Sequence, residues 1–219
     1  MLQINEVITV DLVIVGAGGL AKEIIFLVER NDEYDIEGIV DDNCCNLPEK
    51  ILGYPILGGL DYLYQSSKST AVVIGIASPE AKKTIYNNLK ENKNLFFPNI
   101  IDNTALIGRS VIFGIGNIIM PYTTFTSSIN IGDFNMINIH ATIGHDVKIK
   151  DYNSFYPSVN ISGNTVIESL NEFGVGAKVI QNLQIGDGNI IGAGAVVIRS
   201  VGIKSKLVGV PAKIIESWD

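Results

Sequence analysis

The sequence predicts a two-part fold, a short parallel α/β unit followed by a solenoid of flat strands, and three observations predict it. Up to about residue 95, apolar β-branched runs alternate with segments of helical periodicity. From Ile101 a strict six-residue period of large apolar residues takes over. The 219 residues are 47% hydrophobic and only 18% charged, enough to bury a sizeable core.

The α/β elements come in order. "DLVIVGAGG" is a strand-like run ending in glycines, and "LAKEIIFLVER" follows with Leu20, Ile24, Leu27 and Val28 at helical spacing. "IEGIVDDN" reads as a second strand ending in two acids. Pro48, Gly53 and Pro55 then mark a loop. "TAVVIGIAS" is a third buried strand, and "SPEAKKTIYNNLKEN" opens a helix with Ser78 as N-cap and Pro79 in the first turn.

Every sixth residue from Ile101 to Ile203 is Ile, Val or Phe, eighteen positions without a break. The residue two before each is mostly small or compact, as at Ala105, Asn117, Thr123, Asn135, Ala141, Asn153 and Ala177, and glycine often follows directly, as in "IG" at 107, 131, 143, 185 and 191. A period of six is neither the 2 of a plain strand nor the 3.6 of a helix, and sustained over about 100 residues it requires a coil of short strands. Three hexads close one triangular turn of 18 residues, so five to six turns stack into a prism about 25 to 30 Å tall at the usual strand spacing.

Composition narrows the function. A net charge of −7 argues against nucleic acid as the main partner, no apolar run is long enough to span a membrane, and no basic segment precedes an apolar one at the N-terminus. Adjacent Cys44 and Cys45 read as free thiols, which places the chain in the cytoplasm. Residues 1–145 carry 9 Lys/Arg against 16 Asp/Glu, whereas Arg199, Lys204, Lys206 and Lys213 crowd one acid-free stretch near the end and suit a polyanionic ligand or a solvated basic surface. "GAGGLA" after a strand fits a dinucleotide fingerprint, with Asp41 closing the next strand. The unit is only half a dinucleotide fold, and no oxidoreductase domain follows it.

Both histidines lie in "INIHATIGHD". His145 and His140 occupy different positions in their hexads, hence different corners, and two histidines fall short of a three-histidine zinc centre. No metal is expected. A neutral imidazole at 145 suits proton abstraction, with Asp146 beside it, though spacing alone leaves a surface role open.

The hexad ladder, the closing "GVPAK" at 209–213, the opening "VIVGAGGLAKEI" and "IGHDVKI" together resemble the hexapeptide-repeat acyltransferases and, within them, the NeuD/PglD-type sugar O- and N-acetyltransferases. The resemblance spans essentially the whole chain. It implies a Rossmann-like half-domain (1–97) that binds the acceptor and a left-handed parallel β-helix (98–219) that transfers acetyl from acetyl-CoA, with the site between subunits of a homotrimer. It gives His145 the role of general base oriented by Asp146. Gly163, one coil further on, would offer its N–H to the thioester oxygen. Ser154 stands where the family carries a histidine at the acetyl group. Val175 and Ala193 would flank the pantetheine arm and Lys213 the phosphates. Gly18, Gly19 and Leu20 would lie against the acceptor's sugar and phosphate, Asp41 and Asp42 near its base, and Gly75 beneath it. The acceptor is a nucleotide sugar or a free sialic-acid-type sugar. His140 matches no family role and reads as a polar corner or subunit-contact residue. A non-catalytic trimeric scaffold is the competing expectation.

Overall fold

The computed structural model describes residues 10–31 and 33–219. Its first part is a parallel sheet with helices: β1 (Val10–Val15), α1 (Gly19–Val28), β2 (Tyr34–Val40), β3 (Lys50–Ile51), β4 (Tyr54–Gly58), α2 (Asp61–Tyr64), β5 (Thr70–Ile74), α3 (Pro79–Leu89) and β6 (Leu95–Phe96). Strand order is β3-β4-β2-β1-β5-β6, so the chain reverses its direction of progress at the β1/β5 boundary. β1 and β5 are nearly continuous apolar runs because helices and neighbours cover both faces, whereas β2 is buried only at its end, Gly38–Val40. Ser78 caps α3 through the Ala81 amide, with Pro79 in the first turn.

The stretch around Gly53 and Pro55, expected to be a loop, instead forms the hairpin β3–β4. Leu52 and Gly53 both take positive φ at its two-residue turn, and Pro55 sits on the hairpin.

From Ile100 onward the chain coils as a left-handed parallel β-helix with three faces. The docked face stacks strands from Ile100–Ile101 to Ile190–Ile191, the middle face from Leu106–Ile107 to Val196–Val197, and the third from Val111–Phe113 to Gln184–Ile185. Partners lie 18 residues apart, as in Ile119↔Ile137 and Phe155↔Phe173. The hexad residues from Ile119 to Val197 fill the axis.

The ladder departs from the expected count at both ends. Ile107, in the first coil, is 43% exposed, and Ile203 is 60% exposed. The last coil drops two residues, pairing Ile185 with Val201 and Ile191 with Leu207, so Val201 and Leu207 take the inward positions.

Two devices hold the coil in register. Every sixth residue from Ser110 to Gly194 turns a corner in the left-handed region, with φ between 53° and 69°. Most of these corners are not glycine, a strain the surrounding ladder must hold. Inside one corner, Asn99, Asn117, Asn135, Asn153, Asn171 and Asn189 stack one per coil, each Oδ1 accepting the backbone N–H of the residue above at 2.8–3.0 Å.

The α/β unit sits on the docked face. Ala21, Ile24, Ile25 and Val28 of α1 share a core with Ile100, Ile118, Met120 and Met136. Arg30 pairs with the buried Asp102 carboxylate at 2.9 Å, and Thr104 and Arg30 hold that carboxyl below its usual range against the opposing effect of burial. Tyr86 of α3 and Phe97 pack edge-on and tilted around Phe134.

Candidate active site

The carboxyl ends of β1, β2 and β5 lie side by side and bring Gly18, Gly19, Leu20, Asp41, Asp42 and Gly75 to one edge of the sheet, at its reversal point. Gly18 and Gly19 face open space, and α1 begins there with no side chain capping its first amides. Such a helix start attracts anions such as phosphate. Asp41 braces this loop: Oδ2 accepts the Ala17 amide and Oδ1 the Asn43 amide, both at 2.9 Å. Asp42 accepts the Leu60 amide at 2.9 Å. Gly75 is buried, where a methyl would press on Ile24 and the Val15 carbonyl.

His145 and Asp146 turn one corner of the coil. Asp146 is one of the left-handed corner residues, φ 60°, and this swings its carboxylate back to His145 Nδ1, 2.8 Å away. A carboxylate can only accept, so Nδ1 carries a hydrogen, and in the neutral imidazole the lone pair then falls to Nε2. The imidazole is 66% exposed. It lies over Gly163, 18 residues on, so closely that a Cβ there would come within 2.6 Å of Nε2. The Gly163 N–H donates to no backbone carbonyl among the described residues.

Val175 and Ala193 stack at a different corner, which opens the middle-face strands that His145's corner closes. Each precedes a left-handed glycine, Gly176 or Gly194, with nothing within 4 Å of a would-be Cβ, so this corner is free of obstructing side chains. Lys213 is exposed on the closing strand Lys213–Ser217. One protomer therefore holds the His145–Asp146 corner and the small-residue corner at opposite ends of a face. His140 turns the small-residue corner two coils earlier, exposed, its ring edge against Tyr122.

Ser154 is the exception to the expected site. The structure buries it completely on the docked face, where Oγ accepts from Lys82 Nζ at 2.9 Å and donates to the Ala77 carbonyl at 2.5 Å. It faces the α/β unit and cannot touch a thioester, because a residue just before an inward ladder position points out of its own face.

Two residues escaped the sequence reading. Asn138, buried near the Val175 corner, donates to Glu23 of α1 at 3.2 Å and so links the α/β unit to the coil. Lys82 on α3 is fully enclosed, and burial pushes its ammonium down to about 7 against the raising influence of Glu172. Neither belongs to a local motif that could have flagged it.

A family model described as the PglD N-terminal domain matches residues 11–89. Among solved structures, WeeI from Acinetobacter baumannii AYE is 31% identical, with 94% of this chain and 100% of that one aligned at a TM-score of 0.85. A histidine-to-asparagine variant of perosamine N-acetyltransferase from Caulobacter crescentus, in complex with CoA and GDP-perosamine, is 27% identical over 94% and 97% of the two chains, TM-score 0.87. The acetyltransferase domain of PglB from Neisseria gonorrhoeae FA1090, in complex with acetyl coenzyme A, is 25% identical over 94% and 100%, TM-score 0.86. No curated protein matched by sequence. Fold, coil and His–Asp corner together define an acyltransferase of the hexapeptide-repeat class. The likeness to WeeI carries it further: the chain belongs to the PglD-type sugar acetyltransferases.

Proposed function

We propose that the protein transfers acetyl from acetyl-CoA to the amino group of a nucleotide-linked sugar, with His145 as general base. The carrying observation is the Asp146–Nδ1 bond, which in the neutral imidazole assigns the lone pair to Nε2, directly over Gly163. The imidazole takes the proton of the amine as it attacks the thioester carbonyl, the Gly163 N–H meets the developing oxyanion, and the C–S bond breaks to release the CoA thiolate. The imidazolium, stabilised by Asp146, then returns its proton to the thiolate. Neither cysteine lies in the coil, so transfer is direct.

The donor's arm would lie along Val175 and Ala193, with Lys213 and Arg199 toward its phosphates. Because base and groove occupy opposite ends of a face, the complete site takes one corner from each of two subunits of a homotrimer. The acceptor would occupy Gly18, Gly19 and Leu20 with its phosphates and reach past Asp41, Asp42 and Gly75 with its base. Residues 1–97 would thus present the acceptor and 98–219 perform the transfer, in the cytoplasm, where Cys44 and Cys45 stay reduced. An amine is favoured over a hydroxyl because a relative of 27% identity is named a perosamine N-acetyltransferase.

The test is a mass-spectrometric assay with acetyl-CoA and a panel of amino and hydroxy nucleotide sugars and free sialic acids, with His145→Ala alongside. The expected result is acetylated amino nucleotide sugar with the native chain, and loss of turnover with retained CoA binding in the variant. Near-native turnover by His145→Ala refutes the base assignment.

A further inference from the structure

Lys82 is the least expected side chain in the fold: a lysine at 2% exposure, in the contact between α3 and the coil. Its ammonium makes two hydrogen bonds, to Ser154 Oγ at 2.9 Å and to the Asn153 carbonyl at 3.1 Å. The Asn153 carbonyl already accepts the Met136 amide, so Lys82 grips a rung of the coil's own ladder. Ser154 passes the link onward by donating to the Ala77 carbonyl. Ala77 lies two residues after Gly75 in the β5–α3 loop. The chain of contacts therefore runs from α3 to the coil and back to a wall of the acceptor crevice.

Burying an ammonium beside neutral acceptors is costly, and an apolar side chain of the same length would fill the space more cheaply. What the polar chain supplies is direction. Hydrogen bonds fix one orientation of two packed surfaces, whereas apolar contact tolerates sliding. Among the described residues, Glu172 is the carboxylate that acts on the ammonium, and it is bonded by Tyr156 Oη at 3.2 Å on the same face.

We propose that Lys82 and Ser154 form an interdomain latch that positions the β5–α3 loop, and with it the acceptor crevice, against the coil. Both are positioning residues, acting through the Ala77 backbone. The inference rests on the acceptor assignment above.

The experiment uses full-length Lys82→Met, Ser154→Ala and the double variant. Amide hydrogen exchange over residues 75–81 reads the latch without catalysis, and KM for the acceptor sugar and for acetyl-CoA reads its consequence. The expected result is faster exchange in that loop, an acceptor KM raised about tenfold, the scale of one or two buried hydrogen bonds, and an unchanged KM for acetyl-CoA. The double variant should be no worse than Ser154→Ala, since both act through one chain of bonds. Ser154→Ala removes a single oxygen and keeps the packing, so it folds even where Lys82→Met does not. Unchanged exchange in Ser154→Ala overturns the latch, and so does faster exchange with an unmoved acceptor KM. A native chain that acetylates no nucleotide sugar refutes the acceptor reading instead, and loop exchange then decides the latch alone.

Discussion

Replacing Gly163 with alanine separates the geometry of the base from the stability of the coil. An ideal Cβ at 163 would stand 2.6 Å from His145 Nε2, 2.7 Å from Cε1 and 3.0 Å from Cδ2. Carbon contacts settle at about 3.5 to 4.0 Å, so the imidazole must retreat by about 1 Å. It is two-thirds exposed and can swing outward without disturbing the core. The backbone at 163 lies outside the left-handed region, so a methyl adds no strain of its own, and the stability cost should stay below about 1 kcal/mol. Catalysis should suffer far more: a displacement of about 1 Å at a reacting group costs about 100-fold, roughly 2.7 kcal/mol of transition-state free energy. The assay is kcat at saturating acetyl-CoA and amino sugar, with the thermal midpoint measured alongside. A kcat within about twofold of the native value would show that the ring over Gly163 is not the working position of the base.

Asp146→Asn presents an NH2 to Nδ1 and so favours the tautomer with hydrogen on Nε2; kcat should fall at least about 100-fold with the melting temperature unmoved, and steady-state kinetics check it. Asn135→Ala removes the hydrogen-bond acceptor of the buried Asn153 backbone N–H and opens a small cavity, which should cost about 2 to 4 kcal/mol in urea unfolding, without changing KM for either substrate. Lys82 gives a pH test. Its ammonium is pushed down to about 7 in the folded chain from 10.5 when exposed, so between those values the unfolded chain binds more protons and stability rises with pH. Below about pH 7 both states are protonated and the contribution is flat. Urea midpoints at about pH 6 and about pH 9 should diverge more in the native protein than in Lys82→Met, and equal divergence contradicts the burial of an ionisable amine.

The coil was legible because a triangular axis admits only one kind of side chain at one spacing, and Ile119 to Val197 obey that rule. It failed where its physical premise fails. Ile107 lies in the first coil, and the final coil, two residues short, turns Ile203 outward while Val201 and Leu207 point in. The corners were invisible because serine, tyrosine, histidine, aspartate and leucine occupy the left-handed positions alongside glycine. His145 and Asp146 could be paired because they are neighbours and one of them turns a corner. Ser154 departs from the position the resemblance implies because it falls on the docked face, buried against the α/β unit. Ile100, Ile118, Met136 and Ser154 share a register, each just before a ladder residue, and an outward run of apolar side chains there marks a docked surface. Lys82 gave no such signal, since its partners lie more than 70 residues away in sequence.

These observations divide the labour of the molecule in a way that each variant can expose. The coil is a ruler: stacked asparagines and constrained corners fix 18 residues per turn, so the distance from His145 to Gly163 is set by the same bonds that hold the core. The sheet edge proposed to take the acceptor is instead aligned to the coil through apolar contact, the Arg30–Asp102 pair, Asn138 against Glu23, and the Lys82–Ser154 chain. Changes to the ladder should therefore move stability and leave KM alone. Changes at the docked face should move acceptor KM and leave kcat nearly intact at saturation, because a displaced crevice weakens presentation of the amine without altering the base that awaits it.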